Sequence, residues 1–178
     1  AGGIIFMMFG IGLSKKLADK YGKRDVFMMF LFISTLFIIF FYFFSSTSVE
    51  LIFVSQILHG FFYGITIPLL WAMIADVADY SEWKTNHRAT AIIFSAMMVG
   101  LKVGLSIGSA LVASILNSYG YDVDLATQSE TTIGGIKMLV SIFPAIPFLI
   151  GAGLLFFYEI NKKMEVQIEE ELKERRAE

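Results

Sequence analysis

Four stretches of this chain carry almost no charge, and each is long enough to cross a lipid bilayer. Residues 26–44, 51–75 and 138–158 contain no Asp, Glu, Lys or Arg, and residues 90–116 contain only Lys102. About 20 apolar residues span the roughly 30 Å of hydrocarbon. Inside that layer only helices and closed barrels satisfy their own backbone groups, and runs of this length select helices. The composition agrees: 17% of the residues are charged, against ~25% in soluble domains, and the mean hydropathy is +0.69. The chain therefore reads as an all-α, polytopic membrane protein. The expected spans are a partial one at 1–13, then 26–44, 51–78, 89–117 and 136–158, followed by a charged tail over 161–178.

The chain opens Ala1-Gly2-Gly3 inside apolar sequence, with no basic n-region and no small-residue cleavage site. That start reads as the interior of a helix rather than a signal peptide. There are no cysteines, which excludes disulfides and cysteine metal sites. No cofactor, metal or nucleic-acid partner is expected.

Loop charge gives an orientation. Lys15, Lys16, Lys20, Lys23 and Arg24 lie between the first two apolar segments, and Lys84 and Arg88 between the third and fourth. Lys162, Lys163, Lys173, Arg175 and Arg176 follow the last. Loops 45–50 and 117–134 hold no Lys or Arg. Basic loops stay inside, so a multi-pass protein of the cell membrane with a cytoplasmic C-terminus is expected. Lys137 is placed to snorkel to the outer interface.

Lys102 has no such escape. A cation at the centre of a bilayer costs about 3 kcal/mol on insertion scales, and such residues normally face protein or a water-filled cavity. On its helix Gly100, Gly104 and Gly108 recur at i, i+4 and i+8, with Ala96 extending the row. Such a ridge lets backbones approach closely. At ~100° per residue, Lys102 points roughly opposite, with Ser95, Met98, Ser106 and Ser109. The expectation is a packing face and a cavity-lining face. The alternative is a structural lysine paired with an acid elsewhere.

A second polar stripe runs along 51–78 as Gln56, His59, Tyr63 and Thr66, with Trp71 a turn beyond and Pro68 predicting a kink. His59 reads equally as a bonded packing residue, and Trp71 as packing or a platform for a sugar ring. At the inner boundary Asp76, Asp79, Tyr80, Glu82, Lys84 and Arg88 gather charges that would either latch one conformation or anchor topology. In the loop Leu17-Ala18-Asp19-Lys20-Tyr21-Gly22-Lys23-Arg24, Asp19 is expected against a helix N-terminus. In the tail Met164, Ile168 and Leu172 make one apolar stripe, and Glu169–Lys173 and Glu171–Arg175 are i,i+4 pairs. A tail resting on protein or lipid is the expectation.

These motifs resemble a family. Leu17-Ala18-Asp19-x-x-Gly22-Lys23-Arg24 resembles the cytoplasmic loop signature of the major facilitator superfamily. The run from Trp71 through Asp76, Asp79, Tyr80, Glu82, Trp83 and Lys84 to Arg88-Ala89-Thr90, with Phe94-Ser95-Ala96 and Lys102-x-Gly104, resembles the glycoside–pentoside–hexuronide:cation symporters, the group that contains melibiose permease. The resemblance covers essentially the whole sequence and implies the C-terminal part of a twelve-helix fold, with residues 1–13 in the eighth span. It implies sugar or glycoside uptake coupled to Na⁺ or H⁺ by alternating access. It also implies that Lys102 lines the sugar site, and that the coupling ion sits mainly on N-terminal helices outside this sequence. Met97 and Met98 stand where melibiose permease is polar, which leaves the substrate open.

The expected substrate-binding residues are thus Lys102, Ser106, Ser95, His59, Tyr63, Thr66 and Trp71. The expected cytoplasmic gate comprises Asp19, Arg24, Asp76, Asp79, Tyr80, Glu82 and Arg88. The partners would be the solute, the bilayer and the missing N-terminal half. Competing readings are a major facilitator exporter of a non-sugar solute and a membrane scaffold bundle that transports nothing. An enzyme is not expected: His59 and His87 fall at different depths, and no nucleophile–base pair is visible.

Overall fold

The computed structural model describes residues 2–45 and 48–177, all of it helix and connecting turns. Ala1, Ser46, Thr47 and Glu178, at the edges of the predicted first span, outer loop and tail, lie outside the described residues. The helices are α1 (Gly2–Tyr21), α2 (Lys23–Phe41), α3 (Val49–Thr85), α4 (Thr90–Ser118), α5 (Glu130–Val140), α6 (Ile142–Leu154) and α7 (Lys162–Ala177). A 3₁₀ turn at Leu155–Phe157 ends α6. Four helical segments are long and apolar enough to span a membrane: Lys23–Phe41, Val49–Thr85, Thr90–Ser118 and Glu130–Phe157.

Several element ends differ from expectation, each for a physical reason. The first helix runs past residue 13 to Tyr21, because the lysines that mark the membrane boundary are good helix formers. It stops at Gly22, whose φ of 92° turns the chain into α2. A Cβ there would also stand 3.2 Å from the Cβ of Lys162, where α7 begins. Helix α3 has 37 residues, about 55 Å at the α-helical rise, so it overshoots the hydrocarbon and projects as a stalk. Asn86, left-handed at φ 57°, caps it with a bond to the Glu82 carbonyl. The last span is not one helix over 136–158. It starts at Glu130, capped by Ser129, and breaks at Ser141. Pro144 cannot donate to the Val140 carbonyl, and Ser141 Oγ instead bonds the Lys137 carbonyl.

The core gathers Ala18, Val26, Phe27, Leu31, Ile65, Leu69, Met73 and Ala152 from α1, α2, α3 and α6. Phe62 stacks between Phe30 and Phe37 at 5.9 and 5.5 Å. The closest approach is between α1 and α3: a Cβ on Gly60 would meet the Gly3 carbonyl at 3.1 Å, and one on Gly64 or Gly10 would collide with the Met7 or Phe61 carbonyl. The glycine ridge of α4 does not pack. A Cβ added at Gly100, Gly104 or Gly108 meets nothing within 4 Å, and α4 has no buried residue. Among the described residues the close glycine-to-glycine seam is the one between α1 and α3.

Candidate functional site

Lys102 lies exposed on α4, and its ammonium group makes no hydrogen bond or ion pair among the described residues. Ser95 is exposed on the same helix. Ser106 Oγ donates to the Lys102 carbonyl at 2.9 Å, and Ser109 Oγ to the Leu105 carbonyl at 2.8 Å. The serine stripe therefore spends its hydroxyl protons on its own helix, while its oxygens keep acceptor capacity.

The second stripe faces elsewhere. His59 Nδ1 donates to the Ser34 carbonyl of α2 at 3.1 Å. Its ring stacks on Tyr63 at 5.7 Å, and Tyr63 stacks on Phe148 of α6 at 5.9 Å. Thr66 is buried, its hydroxyl bonded to the Tyr63 carbonyl. Tyr63, Thr66 and Trp71 share a cavity of about 510 Å³ with Phe27, Leu31, Phe148, Met97 and Leu101, and its wall is mainly apolar. The α4 residues that face it are Met97 and Leu101, not Lys102. The seven predicted substrate residues thus form two groups: Tyr63, Thr66 and Trp71 in one cavity, and Lys102, Ser95 and Ser106 on the open side of α4. His59 joins the first group through its ring stack alone, and lines a smaller space of about 110 Å³ with Ser55 and Gln56.

The start of α2 and the end of α3 form a charged junction with α7. Lys23 Nζ sits 2.6 and 2.9 Å from the two Asp76 oxygens and 3.0 Å from Glu165 Oε1. Arg176 reaches Glu82 Oε2 at 2.7 Å and Asp79 Oδ1 at 3.3 Å. Trp83 Nε1 donates to Glu171 Oε2 at 2.6 Å, and Arg175 donates to the Trp83 carbonyl at 3.1 Å. Tyr80 accepts from Lys84 at 2.8 Å and donates to Glu159 at 3.4 Å. Ile168 and Leu172 bury the apolar stripe of α7 in this junction. Hydrogen bonds from Gln167 and then Trp83 hold the Glu171 carboxyl below its ordinary range.

Of the predicted gate residues, Asp76, Asp79, Tyr80 and Glu82 meet here. Arg88 is at its edge, 3.7 Å from Glu82 Oε2, with its Nε bonded to Thr90. Asp19 and Arg24 do otherwise. The Asp19 side chain makes no bond among the described residues; its backbone carbonyl accepts from Lys162 at 2.6 Å. The acid in the first turn of α2 is Asp25, which pairs with Arg24 at 2.9 Å. Arg24 also caps the Tyr158 carbonyl. Lys23, Glu165, Glu171 and Arg176 were absent from the expected gate. The Lys23-Arg24 doublet was the available signal, but adjacent residues on a helix point ~100° apart, and only the fold shows which one turns inward.

Four helices long and apolar enough to span a membrane, with an ion-paired charged junction at their ends, define a polytopic membrane protein. Residues 1–162 match the MFS/sugar transport protein family, and the chain belongs to it. Among curated relatives, it is 29% identical over 94% of its length to the Escherichia coli (strain K12) protein YagG, provisionally named a glycoside/cation symporter. It is 38% identical over 61% of its length to the inner membrane symporter YicJ of the same organism. A third E. coli relative, provisionally named a 2,3-dihydroxypropane-1-sulfonate exporter, is 30% identical over 98% of this chain. The chain spans 36%, 23% and 37% of these relatives' lengths, respectively.

Proposed function

We propose that this chain supplies one side of a secondary active transporter that moves a sugar or glycoside with Na⁺ or H⁺ by alternating access. The observation that carries this is Lys102: one cation in a charge-free span, exposed and without an acid partner among the described residues, in a chain of the MFS/sugar transport protein family. An ammonium group offers three donors and no acceptor, so it suits sugar hydroxyls or an anionic group on the solute. Opposite it, the missing part of the polypeptide completes the cavity and holds most of the coupling-ion site. The inner junction of Asp76, Asp79, Glu82 and Lys23 closes the cytoplasmic end when these charges are paired. The protein lies in the inner membrane with its C-terminus inside.

The test is uptake by the full-length polypeptide in vesicles. Lys102→Ala abolishes uptake while membrane insertion stays intact; wild-type uptake by that variant removes Lys102 from the solute path. A second reading is favoured by the relative named for a sulfonate, because Lys102 would pair directly with such a group. Export of an organosulfonate, with no uptake across a panel of neutral glycosides at varied Na⁺, selects it.

A further inference from the structure

Glu82 carries two arginines at unequal distances. Arg176 of α7 holds both of its oxygens, Nε to Oε1 at 3.2 Å and Nη2 to Oε2 at 2.7 Å. Arg88 Nε stands 3.7 Å from the same Oε2. A carboxylate accepts one guanidinium in the planar two-bond geometry, and here Arg176 has it. Arg88 is left with Thr90 as its hydrogen-bond partner. The two arginines belong to different parts of the molecule. One is on the helix that rests against the stalk of α3; the other is on the link, residues 86–89, that leads into the helix bearing Lys102.

We propose that Glu82 is a two-position switch that couples the docking of α7 to the joint between α3 and α4. With α7 docked, Arg176 occupies Glu82 and the link is loose. With α7 released, Arg88 takes the vacated carboxylate and ties the link to the end of α3.

Two features make release accessible. Ile168 and Leu172 are the buried apolar side chains of α7; its other attachments are polar, the Lys23–Glu165 pair near its start and the contacts of Glu171, Arg175 and Arg176 toward its end. The Arg176 side chain is exposed, and ion pairs made by such a group contribute little individually, so the Arg176 end of α7 is the part that opens most readily. The link is held only locally. Asn86 stops α3 in a left-handed turn, His87 bonds the Thr85 hydroxyl at the end of α3, and residues 84–88 are exposed. This proposal concerns the inner junction alone. It does not depend on Lys102 or on the nature of the solute.

Amide hydrogen exchange on the full-length polypeptide in bilayer nanodiscs tests it, with α3 amides from Ile65 to Met73 as the folding control. Arg176→Gln speeds exchange in α7 and slows it in the link. Arg88→Gln slows exchange in α7 by about threefold, the scale of one exposed pair, because the competitor for Glu82 is gone. Adding Glu82→Gln to Arg176→Gln removes the protection that the link had gained. Unchanged or faster α7 exchange in Arg88→Gln overturns the switch, as does link protection that survives loss of Glu82. Trp83 emission in a Trp71→Phe background follows docking independently, since Trp83 bonds α7 directly. It shifts to the red in Arg176→Gln and does not shift in Arg88→Gln; the reverse pattern also overturns the switch.

Discussion

Gly64 and Gly104 look alike in sequence and differ in what surrounds them. Each belongs to a row of glycines spaced four apart on a membrane helix. At Gly64 a methyl group would run into the Met7 carbonyl and side chain of α1; at Gly104 it would meet nothing within 4 Å. Gly64→Ala should therefore force α1 off α3 and cost about 1–3 kcal/mol, as overpacking does. Gly104→Ala should be neutral or stabilising by up to about 1 kcal/mol, through helix propensity alone. Thermal unfolding of the two variants in the same detergent checks both, and equal losses would contradict the packing described here. Helical spacing alone identifies a ridge but not its occupant, because the spacing is a property of one helix and contact is a property of two.

At the scale of elements, α7 is the part whose docking responds to pH. The Glu171 carboxyl titrates below its ordinary 4.5 because Gln167 and Trp83 hydrogen-bond its charged form. Gln167 lies on α7 itself, so the docking part is the Trp83 bond alone, complete above about pH 4.5 and lost as pH falls through the lower docked value. Acidification should then release α7 in part, read as a red shift of Trp83 emission. Glu171→Gln should remove that component of the shift. At the opposite end of the helices, Lys137 bonds the Phe44 carbonyl through its Nζ at 3.0 Å, just beyond the end of α2. Replacing it with Met should lower thermal stability by about 0.3–1 kcal/mol, the usual worth of a cation at a helix C-terminus. The existence of these helices was legible because charge is excluded from hydrocarbon. Their ends were not, because a lysine at the membrane boundary ends the apolar run without ending the helix, as Lys15, Lys16 and Lys20 in α1 demonstrate. The break at Ser141 was half-legible: Pro144 and Pro147 announced a bend in the last span, but not its place.

For the whole molecule, the alternation of basic loops with loops that hold no Lys or Arg predicts a side for every loop. The absence of cysteine makes this directly measurable. A cysteine at Lys163 should react with an impermeant maleimide only in inside-out vesicles, and one at Asp122 only in right-side-out vesicles. Labelling of both from one side would overturn the assigned orientation. The candidate site was legible residue by residue and less so as an assembly. Polar stripes on two helices were visible, yet the rotation of α4 that separates Lys102 from Tyr63, Thr66 and Trp71 depends on helix–helix contact that no single stripe encodes. The break at Ser141 has a mechanical meaning at this scale. Thr132 bonds the Tyr119 and Gly120 carbonyls at the end of α4, and Gly135 presses against the Tyr119 ring. Meanwhile α6 packs on α2. The Glu130–Val140 segment of the last span is therefore fastened to the end of α4, with one tether from Lys137 to Phe44, and the Ile142–Leu154 segment to the core. A swing of α4 would drag α5 along and die out at Ser141, like a gatepost moving with its gate while the wall behind stays still.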